Sequence, residues 1–205
     1  MSRDRSASPT LPLLKSPASS LRKRAILEGA VRLFRERGYH GTSIRDIGAA
    51  AGVTSAALYR HFVNKDAVLE TALWEFARHV AAASRNAVEQ GRQSPGESLR
   101  ALVHTFASAA LEERDFLGAY LFEARNLRPE VFTEMQRSER EYRDLWTHYL
   151  RMARPELSET GARAMVRAGM LMVAHGCTED PELDAGRLAD LLTNMAITAM
   201  LGGPE

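Results

Sequence analysis

Between Arg24 and Lys65 the chain spaces glycines and capping side chains so closely that only short, tightly joined helices accommodate them. Ile26, Ala30, Leu33 and Phe34 recur at i, i+4, i+7 and i+8, which makes one apolar helix face. Gly38 ends that helix, because glycine takes the left-handed conformation at little steric cost. Ser43 and Asp46 have the spacing of a capping box, hydroxyl to early N–H and carboxylate back to the cap. A short helix then runs to Ala51, and Gly52 stops it. Thr54 caps the next helix, expected from Ser55 to His61. Two short helices around a glycine-containing turn form a helix-turn-helix, whose second helix enters the major groove of DNA. Asn64 caps a longer helix starting near Lys65, with Leu69, Leu73, Phe76 and Val80 on its buried side.

The side chains presented fit that task. Small residues at Ser55, Ala56 and Ala57 let the front of the recognition helix approach base edges, and alanine methyls can touch thymine methyls. The Thr54 and Ser55 hydroxyls can serve donors or acceptors. Arg45 suits a bidentate contact to guanine or a phosphate clamp. Tyr59, Arg60, His61 and Lys65 suit phosphates, Lys65 at a helix N-terminus whose dipole also attracts anions.

Residues 24–73 resemble the DNA-binding head of the TetR family of bacterial transcriptional repressors. The resemblance is dense there and thin beyond, where only helical architecture is shared. It implies that Arg45, Tyr59, His61 and Lys65 meet DNA, and that Leu58 and Phe62 pack inside the head. Two positions depart from the family pattern. Gly48 stands where alanine is commoner, inside a helix, at a cost of about 1 kcal/mol. Ala56 replaces a frequent glycine.

Charge supports the same division. Residues 1–65 hold 12 Lys and Arg against 4 Asp and Glu, a net of +8, and the remainder holds 15 against 22, a net of −7. A basic head on an acidic body suits a protein that docks one end on DNA. Cys177 is the single cysteine, so no internal disulfide forms. No apolar run is long enough to span a membrane, and Leu11–Leu14 is too short and proline-broken for a signal-peptide core. A cytoplasmic protein is expected. Residues 1–20 are Ser/Pro-rich and read as a disordered tail, whose Arg3, Arg5 and Lys15 can brush DNA. The head then occupies 21–65 and the body 66–205.

The body is helical in pattern throughout, so the fold class is all-α; the resemblance implies a three-helix head and a helical effector-binding and dimerisation domain. Leu99, Leu102, Val103 and Phe106 form one stripe, and Asp115–Arg125 forms a shorter segment. Pro129 opens a helix to about Met152, and Pro155 breaks the chain. Ser158 caps the next helix, and the last follows Pro181 across a polar link containing Glu179 and Asp180. These two carry Met165, Val166, Gly169 and Val173, then Leu188, Leu191, Leu192 and Met195. The resemblance implies that this hairpin pairs with a second copy as a four-helix bundle, making a homodimer.

The resemblance also implies an effector pocket in the body. The candidates are Phe106, Phe116, Tyr120, Tyr142 and Trp146 as aromatic walls, and His104, Glu123, Arg125 and His175 as polar handles. Aromatics at helical spacing also make ordinary core. No set of ligands has metal-site spacing: His175 with Cys177, or Asp144 with His148, supplies two groups only. There is no phosphate loop, nucleophile elbow or zinc-protease motif, so neither a cofactor nor a catalytic residue is expected. The sequence thus points to a transcriptional regulator, a repressor released from a near-palindromic operator by a largely apolar small molecule. An enzyme, or an architectural DNA-binding protein without an effector, are the alternatives.

Overall fold

The structure is a computed structural model that describes residues 17–89, 94–178 and 183–202. Arg3, Arg5 and Lys15 of the tail, and Glu179, Asp180 and Pro181 of the polar link, lie outside the described residues. The helices are α1 (Pro17–Arg37), α2 (Ile44–Ala50), α3 (Ser55–Tyr59), α4 (Lys65–Glu89) and α5 (Pro95–Glu112). They continue with α6 (Arg114–Glu123), a 3₁₀ turn (Ala124–Asn126), α7 (Pro129–Ala153), α8 (Glu159–Thr178) and α9 (Ala185–Leu201). No strand occurs among the described residues.

Local chemistry sets most of these boundaries. The Asp46 N–H reaches Ser43 Oγ at 3.2 Å, and the Ser43 N–H reaches the Asp46 carboxylate at 3.0 Å. Thr54 Oγ1 accepts the Ala57 N–H at 3.1 Å, and Asn64 Oδ1 accepts the Ala67 N–H at 2.8 Å. Gly38 and Gly52 have φ of 71° and 65°, the left-handed region their turns require. Ser158 Oγ accepts the Gly161 N–H at 3.1 Å at the head of α8. One boundary moves: α1 begins at Pro17, inside the stretch expected to be disordered to residue 20, because proline suits a helix's first turn.

Gly48 has a structural reason that its helix position hides. A Cβ there would lie 2.9 Å from the Val53 carbonyl oxygen, while the Val53 N–H donates to Gly48 O at 2.9 Å. The missing side chain lets the α2–α3 turn fold back onto α2.

Helix α5 is the centre of the body and packs on α4, α7, α8 and α9. Leu99, Leu102, Val103, Phe106, Ala107, Ala110 and Leu111 are all buried, as a helix apolar on most of its circumference must be. The head is fixed to the body by α1 against α6 and by α4, which runs unbroken from one into the other.

The α8–α9 hairpin corrects the expected dimer face. Val166, Gly169, Val173, Leu188 and Leu192 are buried within the single chain. Gly176 is the reason for part of this: a Cβ there would sit 2.5 Å from a Leu192 methyl, so the two helices cross closely at that point. Met165 is half-buried, while Leu191 and Met195 remain exposed.

Candidate nucleic-acid interface and body cavity

The basic end of the molecule presents α3 across α2. Arg45, Thr54, Ala56, Tyr59 and Arg60 are exposed, and Ser55 and His61 half-buried. Tyr59 leaves 55% of its surface in solvent, unusual for a tyrosine with a core beside it. Leu58 and Phe62 are buried beneath, as the resemblance implied. The recognition helix is shorter than expected and ends at Tyr59; Arg60 and His61 lie in the turn that follows.

Two expected DNA contacts are placed differently. Ala57 is buried, so its methyl packs inside the head. Lys65 donates from Nζ to the carbonyls of Tyr39 at 2.7 Å and Thr42 at 2.8 Å, and lies 4.0 Å from the Tyr39 ring centroid. It locks the start of α4 to the α1–α2 turn instead of reaching outward as a free cation. Asp66 accepts the Tyr39 hydroxyl beside it, and burial with that carboxylate pushes the Tyr39 phenol far up.

The body holds a cavity of about 300 Å³ between α4, α5, α6, α7 and α8. Three of the candidate residues, Phe106, Tyr120 and Tyr142, line it. Trp146 does not: it is fully buried one layer behind, 5.8 Å from Phe106 and 6.0 Å from Tyr142 between ring centroids. Phe116 packs instead under the Arg24 guanidinium at the head–body seam, 4.4 Å away. His104 is on the surface facing Asp190 at 3.3 Å, and His175 is exposed against Phe122. Arg125 is exposed outside the cavity, and buried Glu123 accepts a hydrogen bond from Asn126 at 2.7 Å.

The residues that complete the lining were not among the pocket candidates: Phe76 and Val80 of α4, Leu117 of α6, Leu145 of α7 and Met170 of α8, with the exposed Arg85 of α4 at the rim. The available signal was on α4, where Phe76 and Val80 share one helical face at i and i+4. Among the described residues there is no cluster of three or more His, Cys, Asp or Glu suited to a metal. Nor is any helix among them long and apolar enough to cross a membrane.

Both halves match known families. Residues 26–72 match the bacterial regulatory proteins of the tetR family, and residues 92–178 match the tetracyclin repressor-like C-terminal domain. The chain therefore belongs to the TetR family of bacterial regulatory proteins. It is similar to the transcriptional repressor KstR2 of Rhodococcus jostii (strain RHA1), 33% identical over 136 residues, 66% of this chain and 66% of the relative. KstR2 of Mycobacterium tuberculosis (strain H37Rv) is 28% identical over 137 residues, 63% of this chain and 64% of its own. The alignments thus span just under two thirds of these relatives' length. Among solved structures, the regulator PfmR from Thermus thermophilus superposes with a TM-score of 0.75 at 25% identity, over 88% of this chain and 99% of its own. AibR, solved with isovaleryl coenzyme A and operator DNA, gives 0.71 at 26% identity, over 85% and 97%.

Proposed function

We propose that the protein is a homodimeric transcriptional repressor, released from a near-palindromic operator by a small, largely apolar effector bound in the body cavity. The observation that carries this is helix α4. It starts at Lys65, bonded to the α1–α2 turn of the head, and lines the cavity with Phe76, Val80 and Arg85. A 25-residue helix is about 38 Å long and moves as one lever. Two recognition helices on successive major grooves need a spacing of roughly 34–36 Å. An effector that prefers a different tilt of α4 changes that spacing and lowers operator affinity, and by linkage operator DNA weakens effector binding equally.

Within the head, Arg45, Thr54, Ser55 and Ala56 read base edges, and Tyr59, Arg60 and His61 hold phosphates. The relatives supply support: KstR2 is named a repressor, and AibR was solved with both a small molecule and operator DNA. A protein that acts on DNA in this way works in the cytoplasm. The exposed Leu191 and Met195 belong to the face that meets the second copy.

Selection of bound fragments from a random duplex library tests the assignment. The expected product is a two-fold-related pair of half-sites one helical turn, or a multiple of it, apart. Affinity should fall with salt by about 0.9 log units per log unit for each phosphate neutralised. Binding without sequence preference would replace this reading with an architectural role.

A further inference from the structure

Building on that effector reading, we propose that the cavity selects an uncharged apolar compound carrying a hydrogen-bond-accepting oxygen, such as a ketone, and that Tyr142 recognises this oxygen. The walls are hydrocarbon: Phe76, Val80, Phe106, Leu117, Leu145 and Met170. The charges belong to the rim. Arg85 and Glu141 are exposed, and Glu139 is ion-paired with Arg143. A carboxylate or ammonium seated among these hydrocarbon walls, away from the rim, would give up water for apolar contacts, which disfavours either ion.

Tyr120, Ser138 and Tyr142 bring hydroxyls to the lining, and that of Tyr142 is paired with a buried serine. Tyr142 Oη lies 2.7 Å from Ser84 Oγ, and Ser84 is fully buried. The Tyr142 ring is gripped by Phe106 and Trp146, with centroids 6.2 and 6.0 Å away, so its hydroxyl is held in place before any ligand arrives. Like any tyrosine it is an O–H donor at neutral pH, and burial pushes the phenol further up, to about 12. If Ser84 donates to the Tyr142 oxygen, the tyrosine proton is left for a ligand. Behind the pair lies the buried Trp146 indole, whose N–H makes no hydrogen bond.

The cavity's 300 Å³ is the share of about ten waters at ~30 Å³ each, which sets an occupant of roughly ten to twenty non-hydrogen atoms.

Three probes of one chain length decide the matter on the full-length protein by calorimetry: 2-decanone, decanoate and decyltrimethylammonium. The ketone is expected to bind at least tenfold tighter than either ion. Tyr142→Phe should weaken the ketone about tenfold and leave decyltrimethylammonium, which accepts no hydrogen bond, unchanged. Tighter binding of decanoate, lost in Arg85→Gln, would overturn the proposal in favour of an anion site. So would equal ketone affinity in Tyr142→Phe, or no binding of any probe. The comparison on the parent protein stands even where Tyr142→Phe misfolds. Ketone binding that leaves operator affinity unchanged would overturn the effector reading and not this one.

Discussion

The guanidinium of Arg24 meets the carboxylate of Glu113 at 3.0 Å across the seam between head and body. Arg24 also covers the Phe116 ring, and Arg35 pairs with Asp115 at 2.7 Å further along α1. The N-terminal end of α6 is thus tied to α1, while its later residues Leu117, Tyr120 and Leu121 line the cavity. Helix α6 is a second physical connection between cavity and head, beside α4.

Glu113 leaves only 11% of its side chain exposed, and its Oε2 has no hydrogen-bond partner. Arg24→Met therefore strands a buried carboxylate and should cost about 1–3 kcal/mol. Adding Glu113→Gln removes the stranded charge and should restore part of the loss. Urea unfolding of the two variants measures this; equal stability of Arg24→Met and the parent would show the pair to be idle.

Gly48→Ala sets two effects against each other. Alanine favours a helix by about 1 kcal/mol over glycine. Against this, the new methyl meets the Val53 carbonyl at 2.9 Å, and backbone cannot swing aside as a side chain can. Overpacking of this kind costs about 1–3 kcal/mol, so the clash should win and the thermal midpoint should fall. A raised midpoint would mean that the α2–α3 turn relaxes freely.

These contrasts show where the sequence was legible. The caps of the head depend on residues three apart, Ser43 with Asp46 and Asn64 with Ala67, so spacing alone specifies them. The cavity depends on side chains from five helices whose mutual placement no local pattern encodes. Phe106 and Phe116 both lie on apolar stripes, yet one faces the void and the other an arginine. Gly48 looked like a local defect for the same reason: its partner, Val53, belongs to the next turn. Leu191 and Leu192 are adjacent apolar residues, and the packing of α9 on α5 and on Gly176 of α8 separates the buried one from the exposed one.

Lys65 and Arg45 should separate stability from recognition. Lys65→Ala loses two charge-assisted hydrogen bonds to Tyr39 and Thr42. Such bonds contribute about 1.5–3 kcal/mol each when shielded, and Lys65 is half-exposed, so a total of about 1–3 kcal/mol is expected. Arg45→Ala removes an exposed side chain and should change stability by less than about 0.5 kcal/mol while altering the preferred operator sequence. Denaturation and binding-site selection on both variants check the split. An unchanged preference profile for Arg45→Ala would assign base reading to Thr54, Ser55 and Ala56 alone.

Aspartate at two neighbouring positions of α9 distinguishes the protomer core from the dimer face. Leu192 is 6% exposed beneath Gly176, whereas Leu191 and Met195 are 46% and 48% exposed. Leu192→Asp buries an unpaired carboxylate inside the protomer, which costs several kcal/mol and should unfold the body. Leu191→Asp with Met195→Asp places both charges in water if the chain is alone. It should leave the helical circular dichroism intact and split the dimer, because a two-fold interface receives every charge twice. Operator affinity should then collapse although each head is folded, since a lone head makes only half-site contacts. Sedimentation, circular dichroism and operator binding on one sample give all three readings. A double variant that sediments as a dimer and binds operator normally would move the interface away from this face.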